Sequence, residues 1–220
     1  MSIDVRNTND IKVVASFLGP LIIRQLEAGK RVLWFTAGRS CTAVAASASH
    51  IIAEHPHSNL SVTLTDERYG EVGHTNSNFQ QLIDFGFSLP QAKMIPVLDG
   101  KNIKETTANF NAILKEELKK ADYKIGLFGA GIDGHTAGIL PGSEAVYTEE
   151  LVFDYTAPDF ERITITPKTI VQLNEAVVFM QGREKWKVLE DLTTKDIDIA
   201  QQPAQILKKI PTLTIFTDKK

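Results

Sequence analysis

Short apolar runs alternate with amphipathic stretches from one end of the chain to the other. Arg31-Val32-Leu33-Trp34-Phe35, Leu60-Ser61-Val62-Thr63-Leu64, Lys124-Ile125-Gly126-Leu127-Phe128, Arg162-Ile163-Thr164-Ile165-Thr166, Ala176-Val177-Val178-Phe179-Met180 and Thr212 to Phe216 are too short for helices. They are rich in the β-branched and aromatic residues of buried strands. Between them the spacing predicts helices. One runs from Ile11 to about Ala28, with Thr8-Asn9-Asp10 able to cap it and Gly29 as its stop. Gly19-Pro20 inside that span predicts a kink or a break. Ser40 to about His55 is a small-residue helix whose Cys41, Ala43, Val44, Ala45, Ala46 and Ala48 allow close packing on a sheet. Ile103 to Lys120 is amphipathic, with Phe110, Ile113, Leu114 and Leu118 on one face. Asn78 to Phe85, Pro167 to Leu173 and Glu184 to Leu192 are shorter helical stretches.

Alternation of this kind predicts an α/β fold, a mostly parallel sheet covered by helices. No linker-like segment separates two cores, so residues 1–220 read as a single domain. With 220 residues, 43% of them hydrophobic, the chain can bury a sizeable core. Lys and Arg number 24 against 27 Asp and Glu, a formal net charge of -3. That argues against a general nucleic-acid binder, and an anionic ligand would need positive charge gathered locally. Cys41 is the only cysteine; an internal disulfide is excluded, and a reducing compartment fits. The N-terminus carries no basic region followed by an apolar core, and no apolar run reaches membrane-spanning length. The expectation is a cytoplasmic protein with no membrane partner.

The chemistry gathers where strands are expected to end. Lys124 to Phe128 runs into Gly129-Ala130-Gly131-Ile132-Asp133-Gly134-His135-Thr136-Ala137. Glycines let the backbone approach a ligand or take positive φ. The acid and the imidazole fall where open α/β sheets bind small molecules, and histidine moves protons near neutral pH. The bland alternative is a tight turn with a solvated Asp and His. Thr36-Ala37-Gly38-Arg39-Ser40 offers hydroxyls, backbone N–H groups and a guanidinium fork at a strand-to-helix turn, a phosphate-binding pattern that ordinary turns also show. Asp66-Glu67-Arg68 is either a solvated turn or part of a site, and leads into a polar loop holding Gly70, Gly73, His74, Asn76, Ser77 and Asn78. Arg162 and Lys185 could supply the missing positive charge. His50, His55, His57, His74 and His135 show no zinc-site spacing, so no metal is expected. Cys41 sits where a small core residue would serve, which argues against a nucleophile.

These segments, in this order, resemble the 6-phosphogluconolactonase and glucosamine-6-phosphate deaminase/isomerase family. Gly129 to Pro141 is similar to the family signature, above all its Asp-Gly-His-Thr-Ala core. Asp66-Glu67-Arg68 with Ser77-Asn78, the run from Arg162, Gly182-Arg183-Glu184-Lys185 and Pro203-Ala204 are similar to further family segments. The resemblance implies a three-layer, Rossmann-like fold with helices on both faces, and a small-molecule sugar phosphate as ligand. It implies lactone hydrolysis with His135 as general base, Asp133 orienting the loop or the imidazole, Arg68 meeting developing charge and Asp66 binding sugar hydroxyls. Thr36, Gly38, Arg39, Ser40, Asn78, Gly131, Arg162 and Lys185 would bind substrate and phosphate, with no cofactor. The lactonase branch is favoured because deaminases carry a glutamate directly before the closing proline, where this chain has Leu140. Thr136 is also lactonase-like. The chain departs from the pattern at Ala37, which replaces a glycine, at Arg39, which replaces a small hydroxyl residue, and at Gly70 and Gly73. A deaminase or a catalytically silent sugar-phosphate sensor remain the alternatives. The first helix begins almost at once, which leads to the expectation that no DNA-binding segment is fused ahead of it. A monomer and a small homo-oligomer are both open.

Overall fold

The computed structural model describes residues 2–219. In chain order these form β1 (Ser2–Asn7), α1 (Ile11–Glu27), β2 (Val32–Thr36), α2 (Thr42–Ala53), β3 (Leu60–Leu64), β4 (Asp66–Arg68), α3 (Asn78–Asp84) and β5 (Lys93–Ile95). Then follow α4 (Ile103–Lys120), β6 (Tyr123–Phe128), β7 (Val152–Thr156), β8 (Glu161–Ile165), α5 (Pro167–Ile170), β9 (Glu175–Met180), α6 (Trp186–Thr194) and β10 (Thr212–Thr217).

Seven strands make one sheet in the order β1-β10-β9-β6-β2-β3-β5, and every pairing in it is parallel. With helices around it, this is the expected α/β, Rossmann-like arrangement. Its central strands read as continuous apolar runs because both faces are covered: all five residues of β2 are buried. From β2 the chain builds outward through β3 to β5, then returns to β6 and builds the other way through β9 and β10. The strand order therefore reverses between β2 and β6, and such a reversal opens a crevice beyond the strands' carboxyl ends.

The local signals act as expected at several ends. The Asp10 side chain accepts from Lys12 N–H at 2.8 Å, Ser77 from Gln80 N–H at 3.1 Å and Asn102 from Glu105 N–H at 3.0 Å, each capping a helix. Gly29, at φ 76°, ends α1 in the left-handed region.

Other expectations are corrected. α1 runs through Pro20 without a break. Pro20 and Ser16, whose carbonyl loses its partner, lie on the exposed side, where water can serve that carbonyl. Gly19 faces inward, and a Cβ there would meet Ile51 of α2 at 3.1 Å, so the glycine lets the two helices approach closely. Ile113 is exposed rather than on the buried face of α4. The helices after Cys41 and Lys185 each begin one short 3-10 turn later than expected, the turns being Arg39–Cys41 and Arg183–Lys185. The helix from Pro167 is shorter than expected and ends at Ile170.

The run from Arg162 does not join the parallel sheet. It forms β8, the middle of a separate antiparallel sheet β4-β8-β7. Asp66-Glu67-Arg68 is β4 of that sheet and is buried, not a solvated turn. Strands β1, β5 and β7 were not foreseen. Lys93–Ile95 is too short to show a period, and β7 alternates weakly because four of its residues are only partly buried or exposed. Among the described residues no helix is long and apolar enough to cross a membrane.

Candidate active site

The carboxyl ends of β2, β6 and β9, and one face of the small sheet, enclose a cleft of about 450 Å³. That is in the range of small-molecule sites. Gly38, Arg39, Ser40, Asp66, Arg68, Asn78, Gly131, Asp133, His135, Arg162 and Lys185 all line it. Of the residues singled out in the sequence, Thr36 does not: it is the last residue of β2, fully buried, with its hydroxyl directed at the carbonyl of Ala37. Strand alternation explains this, because only the loop beyond Thr36 turns toward the crevice.

The glycine-rich loop after β6 forms a closed local unit. Asp133 Oδ1 lies 2.7 Å from His135 Nδ1 and accepts from His135 N–H at 3.1 Å. Burial alone would raise the Asp133 carboxyl, but the amide and imidazole of His135 outweigh it and hold it below its ordinary value. Gly134 sits at φ 81°, and Gly131 lies so close to the ring that a Cβ would be 2.2 Å from His135 Cε1 and Nδ1. The Thr136 hydroxyl donates to Gly129 O at 2.8 Å and pins the base of the loop. When Nδ1–H donates to a carboxylate, the basic lone pair of the neutral imidazole is on Nε2.

The small sheet presents the charged wall. In β4, Asp66 and Arg68 point one way and Glu67 the other. Asp66 accepts from Thr65 Oγ1 at 3.0 Å and lies 3.5 Å from Arg162 Nη1. The Arg68 Nη1 donates to Asn76 O at 2.8 Å, and its guanidinium lies 5.0 Å from the ring of Phe160. Burial first, and then the guanidinium of Arg39, pull the Arg68 pKa down. That is the mark of cations crowded into one cleft. Arg162 is buried and holds both oxygens of Asp159 at 2.9 and 2.8 Å. Arg39, a non-glycine residue at φ 51°, reaches to within 3.9 Å of Asp159. Gly38 is in contact with Asn78, whose Oδ1 would be 2.3 Å from a Cβ added there. Cys41 is inert: burial pushes its thiol up to about 12.

Three residues that shape the site were given no role in the sequence reading. Glu67 is fully buried and accepts from Arg68 N–H, Asn78 N–H, Phe79 N–H and the Ser77 hydroxyl at 2.8, 2.6, 3.0 and 2.9 Å. It ties β4 to the first turn of α3, and burial raises its pKa despite those four bonds. The signal available was Ser77-Asn78 ahead of an amphipathic stretch, which exposes N–H groups for a carboxylate to accept from. Tyr155 of β7 accepts from Leu140 N–H at 3.3 Å and donates to Gly138 O, locking the end of the signature loop. Asp159 belongs to the β7–β8 turn and carried no motif.

The sequence model described as glucosamine-6-phosphate isomerases/6-phosphogluconolactonase matches residues 21–215. A 6-phosphogluconolactonase of Borreliella burgdorferi is 28% identical over 176 residues, 71% of each chain. The crystal structure of 6-phosphogluconolactonase from Thermotoga maritima superposes with a TM-score of 0.82 at 19% identity, covering 99% of both chains. A monomeric glucosamine-6-phosphate deaminase also reaches 0.82, at 16% identity over 100% of this chain and 98% of that one. The fold is thus common to both chemistries, and the side chains of the cleft must separate them.

Proposed function

The chain belongs to the glucosamine-6-phosphate isomerase/6-phosphogluconolactonase family, and we propose that it is a lactonase of that family, an enzyme that hydrolyses 6-phosphogluconolactone to 6-phosphogluconate in the pentose phosphate pathway. The names of its relatives support lactone hydrolysis. The observation that carries the mechanism is the Asp133–His135 pair facing the same cleft as Arg39, Arg68, Arg162 and Lys185.

A lactone is an activated ester, so a positioned base, a charge to meet the oxyanion and a grip on the phosphate suffice. In this reading Asp133 accepts a hydrogen bond from the Nδ1–H of His135, which keeps its proton, and leaves Nε2 to accept a proton from water. The water oxygen attacks the lactone carbonyl, and the oxyanion of the tetrahedral intermediate is met by Arg68. Collapse breaks the bond to the ring oxygen, which takes the proton back from the imidazolium and leaves as a hydroxyl. The product is a carboxylic acid, which loses its proton to solvent and becomes a carboxylate. Asp66 and Asn78 hold sugar hydroxyls, and Gly131 keeps the backbone clear of the imidazole and the substrate. Gly38, Arg39 and Ser40, with Arg162 and Lys185, hold the phosphate.

Leu140 sets this reading apart from deamination. It lines the cleft where the deaminases that the chain resembles carry a glutamate, and a leucine cannot transfer a proton. The test is to incubate the protein with freshly made 6-phosphogluconolactone and, separately, with glucosamine 6-phosphate. Acid release above the spontaneous rate from the first, with no ammonia from the second, is expected. Ammonia release, or lactone opening at the spontaneous rate, overturns the reading.

A further inference from the structure

Arg162 and Arg39 already share an anion. The turn between β7 and β8 is closed by Ala157 N–H donating to Phe160 O at 2.9 Å, and it carries Asp159 at its tip. Both Asp159 oxygens lie against Arg162 Nη2, and Arg39 Nη2 stands 3.9 Å away. The next residue, Phe160, lies beside the guanidinium of Arg68. One turn therefore touches three cations of the cleft. The partners are unequally placed. The Arg162 side chain is 10% exposed and set in β8, whereas that of Asp159 is 44% exposed at the rim. The cation is fixed and its carboxylate partner stands at the solvent edge.

Two roles fit a carboxylate on the guanidinium of a ligand-binding arginine. It could orient that arginine, in which case its loss weakens ligand binding. Or it could stand where the ligand's own anion must stand, in which case its loss strengthens binding. Orientation does not need Asp159, because Arg162 is nine-tenths buried within its strand and its other arm lies 3.5 Å from Asp66. The Arg39 contact has no orienting value either, since a 3.9 Å separation fixes no geometry. What Asp159 does accomplish is to offer negative charge to both guanidinium groups from the side open to solvent. A phosphate prefers the same face of a guanidinium fork.

We propose that Asp159 is an internal counter-ion that competes with the substrate's phosphate for Arg162 and Arg39, so that a phosphate dianion must displace it to enter the cleft. This rests on the placement of the phosphate in the lactonase reading and adds a specificity device to it. A dianion can outbid one carboxylate for two guanidinium groups, whereas a singly charged sugar acid gains little by the exchange. The same carboxylate favours departure of the phosphorylated product.

The test measures binding of inorganic phosphate and of 6-phosphogluconate to the wild-type protein, Asp159→Asn and Asp159→Ala by calorimetry. Both variants are expected to bind both ligands roughly tenfold more tightly, because a like charge beside the ligand is removed. The KM for 6-phosphogluconolactone is expected to fall with the dissociation constants, and that for unphosphorylated gluconolactone to change by less than a fifth as much. Weaker binding by the variants would show an orienting role and overturn the proposal. Equal affinities, or no phosphate binding by any of the three proteins, would overturn it as well. The calorimetric arm needs no turnover, so absence of lactonase activity would sink the functional reading while leaving this one to be decided on phosphate alone.

Discussion

Asp133 Oδ1 receives both the backbone N–H and the imidazole Nδ1 of His135, at 3.1 and 2.7 Å. The ring is built from neighbours in sequence, with Gly134 supplying the positive φ between them. It fixes the imidazole without help from a distant element. His135→Ala is therefore expected to fold normally, because the side chain lies at the cleft surface, and to lose lactonase activity roughly 10²–10⁴-fold, the usual size of a general acid–base contribution. Melting temperature and steady-state kinetics together check this. Near-normal turnover removes His135 as the base.

Gly131→Ala reaches the same imidazole from the other side. A Cβ at Gly131 would be 2.2 Å from two ring atoms of His135 and 2.6 Å from Asp133 Oδ1. The flexible ring can swing away, so the fold survives while the Asp133–His135 contact does not. The expected outcome is a fall in kcat of about 10²-fold or more with little change in stability. Kinetics beside thermal unfolding distinguish this from simple destabilisation, and an active Gly131→Ala protein would show that the contact is dispensable.

Glu67 supports the opposite wall. In Glu67→Gln the amide can replace one acceptor oxygen, but its NH2 group faces Phe79 N–H and leaves that donor without a partner. The expected cost is about 1–3 kcal/mol, with a higher KM as Asp66, Arg68 and Asn78 lose their common anchor. The pH dependence has a definite sign. The folded-state pKa of Glu67 lies above the unfolded one, so the native state holds its proton more tightly. This group's contribution to stability is largest at acid pH and is lost as pH rises from the ordinary carboxylate value through the raised one. The stability gap between wild type and Glu67→Gln should narrow as pH rises above the ordinary carboxylate range. A gap that widens with pH would contradict the burial of an ionising carboxylate here.

Part of the cleft lining was legible in the sequence. Gly129 to Ala137 could be read because glycine, acid and imidazole lie next to one another and follow an unmistakable buried strand. Gly38, Arg39 and Ser40 were legible because they too follow a buried strand. What escaped depends on partners far along the chain. The run from Arg162 has the composition of a sheet strand, and nothing local says that it pairs antiparallel with Asp66–Arg68 rather than joining the parallel sheet. Glu67 looks like its charged neighbours until Ser77, Asn78 and Phe79 are seen to donate to it. Pro20 breaks an isolated helix, but α1 is held by Val14, Leu18, Ile22 and Leu26 in the core, and that packing outweighs one lost bond.

Arg39 is the residue whose role the cleft leaves most sharply divided between binding and surface charge. It stands in the left-handed region at φ 51°, where only the surrounding turn holds a non-glycine residue, and its side chain is 65% exposed. Its sole ion pair among the described residues is the 3.9 Å contact with Asp159, too long to be a hydrogen bond. If the guanidinium grips the phosphate, Arg39→Ala removes a charge-assisted hydrogen bond, about 1.5–3 kcal/mol when well formed. The exposure places it at the low end of that range, so phosphorylated substrates are expected to weaken by about tenfold. An unphosphorylated lactone should change little. Alanine at this φ carries the same backbone strain as arginine, so the comparison isolates the side chain. Arg39→Lys should recover part of the loss, since it keeps the charge and gives up the fork. KM and kcat/KM on 6-phosphogluconolactone and gluconolactone read all three proteins. Equal losses on both lactones would mean that Arg39 shapes the loop rather than reading the phosphate, and no loss on either would mean that it only balances Asp159.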